Sequence, residues 1–195
     1  MSKSLSITLL FILFAIQLFV PAQMIYQQED VLSTGTAYKF KTQPIDPSDP
    51  LRGKYIDLYY EIDSFETNDD SWNGYHGKVF VYLKTDAEGF AAVKTVSKTQ
   101  LDTSDDYFTA KSNFNYNGKV NFDIPFNRFY MNEYKAYDAE ISVRKAQQDT
   151  TRICYGLVHI KQGTAVLSNV FIDDIPIADF VEKYRKDRES SPQDN

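Results

Sequence analysis

The sequence predicts an α+β protein that is mostly antiparallel β. About eight strands form a sandwich or a partly open barrel, with one mid-chain helix, a short C-terminal helix and an N-terminal transmembrane helix. Three observations carry this expectation. A charge-free apolar run, LSITLLFILFAIQLFV, extends from Leu5 to Val20. Most of the chain after it alternates apolar or aromatic residues with polar ones and is cut by Gly, Pro, Asn and Asp, the pattern of half-buried strands joined by tight turns. One stretch, Met131 to Gln147, changes to helical spacing.

The apolar run comes first. As a helix it rises ~24 Å, and its continuation to Tyr26 reaches roughly 33 Å, against a hydrocarbon core about 30 Å thick. Residues 5–26 are therefore expected as a single membrane anchor, with residues 1–4 in the cytoplasm. The competing reading is a cleaved signal peptide, cut before Gln23 after the small-residue stretch Val20-Pro21-Ala22. The run is longer than the about 7–15 apolar residues of a signal peptide, and nothing from Met24 to Leu32 breaks a helix. Residues 27–35 then read as the linker, the same helix leaving the bilayer, with Gly35 as its C-cap. Lys3 precedes the run, and Glu29 and Asp30 follow it. The positive-inside rule places the domain on the extracytoplasmic side of the cytoplasmic (inner) membrane.

Residues 36–187 form the expected β-rich domain. Thr36 to Thr42 alternates and reads as a strand, followed by Gln43 to Pro50, whose three prolines exclude helix and central strand. Gly53 to Asp63, GKYIDLYYEID, is the strongest strand pattern. Asn68 to Gly77 is a polar loop. Lys78–Thr85 and Ala91–Thr99 read as one hairpin. Tyr107–Tyr116 and Lys119–Phe126 read as another, with Asn117-Gly118 as a type I′ turn. In the mid-chain helix, Tyr130, Tyr134, Tyr137 and Ile141 share a face and Asn132 is the cap. Thr151–Lys161 and Thr164–Ile172 make a last hairpin across Gln162-Gly163. Asp173 to Pro176 breaks the chain before a closing helix, Ile177 to Lys186. The tail, residues 188–195, is polar and flexible.

Composition excludes several classes. The 14 Tyr and 14 Phe argue for a packed core rather than disorder. A net charge of −6 with scattered Lys and Arg lacks the basic face that nucleic acid requires. The lone Cys154 sits in an apolar stretch and reads as a small core residue. His76 and His159 have no metal-site spacing, and GxSxG, P-loop and dinucleotide-glycine patterns are absent. Asp102, Asp105 and Asp106 read as a solvated connection rather than a calcium loop. No catalytic residue, metal or cofactor is expected.

Leu51-Arg52-Gly53-Lys54-Tyr55-Ile56-Asp57-Leu58-Tyr59-Tyr60 resembles the signature of the GDYXXLXY proteins. Gly53, Tyr55, Leu58 and Tyr60 match, and Lys54 stands where the signature has Asp. The proline-rich approach from Pro44 to Pro50 resembles that family too. So do a second stretch, Arg128-Phe129-Tyr130-Met131-Asn132-Glu133, and the late Gly163-to-Leu167 hairpin. The resemblance implies a bacterial, membrane-anchored protein with no assigned reaction, accompanied by a multi-pass membrane partner. It supplies no catalytic residues.

Strand geometry divides the motif between two faces. Lys54, Ile56, Leu58 and Tyr60 share one, and Tyr55, Asp57, Tyr59 and Glu61 the other. A motif drawn from both faces describes a packed strand better than a substrate site. Gly53 suits a tight strand entry, and Arg52 is placed to pair with Asp46, Asp49 or Asp57. The alternative is a ligand groove lined by Arg52, Tyr55 and Tyr60. The leading expectation for function is a non-enzymatic accessory module that binds a membrane protein. The alternatives are an envelope small-molecule or glycan binder using exposed tyrosines, and a hydrolase with an unfamiliar site.

Overall fold

The computed structural model describes residues 3–43, 55–113, 115–130 and 152–182. Helix α1 (Lys3–Thr34) is one continuous element of 32 residues. Its large apolar side chains from Ile7 to Tyr26 are exposed all round. Among the described residues it is the one helix long and apolar enough to cross a membrane. It passes through Pro21, whose missing N–H a membrane-crossing helix tolerates.

The far end of α1 is rooted in the domain. Val31 is only 4% exposed. The Lys161 ammonium donates to Asp30 Oδ2 at 2.7 Å and to Thr34 Oγ1 at 2.7 Å. Gly35 closes the helix by close approach rather than by a left-handed backbone. A Cβ there would lie 2.5 Å from the Val31 carbonyl oxygen and 3.0 Å from that of Ile160.

The strands follow as β1 (Thr36–Lys41), β2 (Tyr55–Asp57), β3 (Ser64–Glu66), β4 (Gly77–Thr85), β5 (Ala91–Ser97), β6 (Tyr107–Ser112), β7 (Lys119–Asp123), β8 (Arg128–Tyr130), β9 (Cys154–Lys161), β10 (Thr164–Ile172) and β11 (Ile175–Pro176). A 3₁₀ turn occupies Asp70–Trp72, and residues 177–182 form helix α2. All the ladders among the described residues are antiparallel, in sheets ordered β1-β9-β10-β11, β3-β7-β6-β4-β5 and β2-β8. Two parallel backbone bridges, Lys39 to Phe90 and Phe108 to Gly163, join the larger sheets into a nearly closed, barrel-like whole. This is the expected α+β class with both terminal helices present. The expected mid-chain helix lies outside the described residues.

The inward residues of each strand meet in one core. Phe40 of β1 is fully buried and packs edge-on against Tyr60, Phe108 and Phe126, with ring centroids 5.8, 6.2 and 4.9 Å away. Val79, Val81, Val120, Val158 and Ile160 surround this aromatic centre. Ile177 and Val181, one turn apart on α2, close it.

Three stretches differ from expectation. Within the Gly53–Asp63 pattern, the described residues place Tyr55–Asp57 in a ladder with β8. Beyond Asp57 the alternation of burial persists without a ladder, until Tyr60 bridges Thr42. Tyr130 lies in strand β8 rather than on a helix. Asp173 and Asp174 do not simply break the chain. Both adopt positive φ, 51° and 62°, and turn β10 back into β11. Each is held there: Asp173 Oδ1 accepts from Ile153 N at 3.0 Å, and Asp174 Oδ1 from the Tyr155 hydroxyl at 2.6 Å.

Candidate functional site

The two stretches singled out in the sequence are neighbours in space. β2 and β8 pair antiparallel, Tyr55 against Tyr130, Ile56 against Phe129 and Asp57 against Arg128. Seventy residues of chain separate them, yet they make one ribbon with two unlike faces.

The inner face is core. Ile56, Leu58 and Tyr60 are 1, 2 and 3% exposed, and Phe129 packs beside them. The Tyr60 hydroxyl donates to the Phe126 carbonyl at 3.1 Å. Burial holds its pKa well above the usual tyrosine value. Leu58 N donates to the Asn127 carbonyl at 2.7 Å, and Glu61 N to that of Lys41 at 3.0 Å. Gly156 of β9 makes room for this packing, since a Cβ there would sit 2.9 Å from Tyr60 Oη. Leu58 and Tyr60 of the signature thus lie in the core.

The outer face is polar and aromatic. The Tyr55 and Tyr130 rings lie 5.5 Å apart and tilted. The Arg128 guanidinium stands over the Tyr55 ring at 5.0 Å, and its Nε is 3.5 Å from Asp57 Oδ1. Tyr130 is 66% exposed, and Tyr59 beyond it is exposed too. Cross-strand aromatic and ion pairs of this kind stabilise a short ladder by roughly 0.2–1 kcal/mol each. What remains outward is a planar guanidinium and tyrosine edges, the side chains most enriched at the centre of protein interfaces. Arg52, Gly53 and Glu133 lie outside the described residues. Tyr55-x-Asp57 and Arg128-x-Tyr130 are complementary when read antiparallel. That reciprocity was the one signal in the sequence for their pairing.

The other singled-out groups occupy ordinary places. Cys154 is buried, and its thiol is pushed up to about 11, by burial first and then by the charge of Asp173. Asp105 pairs with Lys94 at 2.7 Å, and Asp106 accepts from the Tyr38 hydroxyl at 3.1 Å. His159 lies on β9 with Nδ1 buried and unbonded among the described residues. No group of three or more His, Cys, Asp or Glu side chains able to hold a metal ion occurs among the described residues.

An apolar helix of membrane-spanning length rooted in a nearly closed β domain fits the class of membrane-anchored β-rich proteins. A family model of the GDYXXLXY proteins matches residues 17–170. The chain belongs to that family. The match begins inside α1 and ends in β10, so the helix–barrel junction lies within the family unit. No curated protein and no solved structure is detectably similar to the chain.

Proposed function

We propose that the protein is a non-catalytic accessory module, held by one span in the inner membrane of a bacterium, that docks the outer face of its β2–β8 ribbon on a multi-pass membrane partner. The observation that carries this is the division of labour within the ribbon. Its inner face is consumed by packing, while Tyr55, Tyr59, Arg128 and Tyr130 are presented outward on a rigid element. An aromatic and arginine surface gains affinity from desolvation and stacking without needing catalytic geometry.

The anchor supports the same reading. Between Tyr26 and Thr34 the helix rises only ~12 Å, and its end is clamped by Val31 and Lys161. A domain held so close to the bilayer meets partners that are themselves in the membrane. The positive-inside reading of Lys3 supports a periplasmic domain.

The test is cross-linking in native membranes with a photoreactive residue at Tyr130, followed by gentle solubilisation and mass spectrometry. An adduct to a multi-pass protein, lost in Arg128→Ala, is the expected result. Recovery of the protein alone, with no adduct from Tyr130 or Tyr59, would overturn the proposal.

A further inference from the structure

A second surface, with no residue in common with the ribbon, has the make-up of a ligand site. The 3₁₀ turn at Asp70–Trp72 and the tip of the β6–β7 hairpin enclose an open depression of about 520 Å³. Its walls include Asn68, Asp70, Asn73, Tyr116 and Asn117. A second depression, about 850 Å³, shares the Tyr116 wall. Both volumes lie within the roughly 300–1,000 Å³ of small-ligand sites.

The support beneath it is rigid. Asn115, 1% exposed, donates to the Tyr75 carbonyl at 2.9 Å and to Ser112 Oγ at 2.8 Å, and accepts from Asn121 N at 2.9 Å. One buried amide thus joins the segment after the 3₁₀ turn to β6 and β7. Asp69 caps the 3₁₀ turn, accepting from Ser71 N at 2.9 Å. The hairpin tip is stitched to the opposite wall by Thr67 N donating to the Gly118 carbonyl at 2.6 Å. Asn117 and Gly118 both hold positive φ, 51° and 72°.

The groups facing the depression have no such partners. Among the described residues, the side chains of Asn68, Asp70, Asn73 and Asn117 make no hydrogen bond or ion pair. Tyr116 is 67% exposed. Three carboxamides that both donate and accept, one carboxylate and an exposed tyrosine line one open depression. The first depression contains no cation, which disfavours phosphate and other anions. The groups suit a ligand rich in hydroxyls that both donate and accept, and that carries an apolar C–H face to lay on a ring.

We infer that the depression beside Tyr116 binds a neutral carbohydrate, with Tyr116 as the stacking platform and Asn68, Asn73 and Asn117 reading its hydroxyls. This is independent of the docking proposal, which uses the other surface.

The test uses the full chain, ¹⁵N-labelled, in zwitterionic micelles free of sugar detergents. It is titrated separately with maltotetraose, cellotetraose and chitotetraose. Saturable shifts of the Asn68, Asn73 and Asn117 side-chain amides are expected with at least one of them, with Kd on the order of 1 mM. Tyr116→Ala should weaken binding about tenfold, the loss of one stacking contact, and Tyr116→Phe should retain it. Asn73→Ala provides a second reading that leaves the hairpin tip untouched. Absence of saturable shifts with all three sugars would overturn the inference. So would shifts that survive both Tyr116→Ala and Asn73→Ala.

Discussion

Tyr60 and Gly156 are far apart in the chain but are coupled in the core, and their coupling is measurable. Replacing Gly156 with Ala brings a methyl group to 2.9 Å from Tyr60 Oη, 3.3 Å from Tyr60 Cε1 and 3.0 Å from Leu167 Cδ1. Leu167 is only partly buried and ends in a mobile methyl, so it can give way. Tyr60 cannot, because it is 3% exposed, hydrogen-bonded to Phe126 and wedged between the Phe40 and Phe126 rings. Overpacking of this kind costs about 1–3 kcal/mol. Ala in place of a strand glycine returns roughly 0.5–1 kcal/mol, so Gly156→Ala should destabilise by about 1 kcal/mol. Tyr60→Phe removes one buried hydrogen bond, about 1 kcal/mol. In the double variant the hydroxyl that meets the new methyl is gone. The combined loss should therefore fall short of the sum by roughly 0.5–1 kcal/mol. Urea unfolding followed by circular dichroism, run on all four proteins in the same micelles, measures the cycle. Strict additivity, or a Gly156→Ala protein as stable as the parent, would refute this account of the signature tyrosine.

Three further outcomes follow from particular contacts. Tyr55→Phe keeps the ring under Arg128 and beside Tyr130, so its midpoint should move by less than about 0.5 kcal/mol. Tyr55→Ala should lose about 1 kcal/mol in the same urea experiment. Tyr38 is pushed up to about 12 from 10.0, first by burial and then by the Asp106 carboxylate that its hydroxyl bonds. A raised folded pKa means its stabilisation is intact below pH 10 and is lost as pH climbs through about 12. Tyr38→Phe should flatten the alkaline fall in unfolding midpoint over that window and remove one late-titrating tyrosine from the absorbance titration at 295 nm. Gly118 holds φ 72° with the Thr67 carbonyl oxygen 2.6 Å from any added Cβ. Gly118→Ala should cost about 1–3 kcal/mol, which a thermal melt reads as a fall of roughly 2–4 °C per kcal/mol.

Legibility in the sequence followed the range of the interaction. Turn residues spoke for themselves. Asn117-Gly118 and Gln162-Gly163 take the positive φ values that two-residue hairpins demand, and the hairpins they close are where the spacing put them. Asp173-Asp174 reads in the sequence as a simple break, because two non-glycine residues seldom hold left-handed backbone. Here it is Ile153 N and the Tyr155 hydroxyl, brought from another strand, that hold them there. Gly35 is legible as the end of α1, where the Val31 carbonyl of the helix's own last turn lies 2.5 Å from any added Cβ, but the sequence does not show that the β9 backbone closes in as well, with the Ile160 carbonyl at 3.0 Å.

The ribbon shows where the division falls. Period-two alternation is a property of the local backbone, so the sequence alone determined that Ile56, Leu58 and Tyr60 share a face opposite Tyr55, Asp57 and Tyr59. The same local chemistry determined the charge-free helix and the β-rich class that follows it. Only the tertiary structure decided that β8 is the partner of β2, that Arg128 rather than a residue nearby in sequence stands on Tyr55, and that Tyr60 fills the space Gly156 leaves. Backbone hydrogen bonding between strands carries no residue identity. Which strands meet is settled by how the whole core packs, and no segment read by itself contains that information.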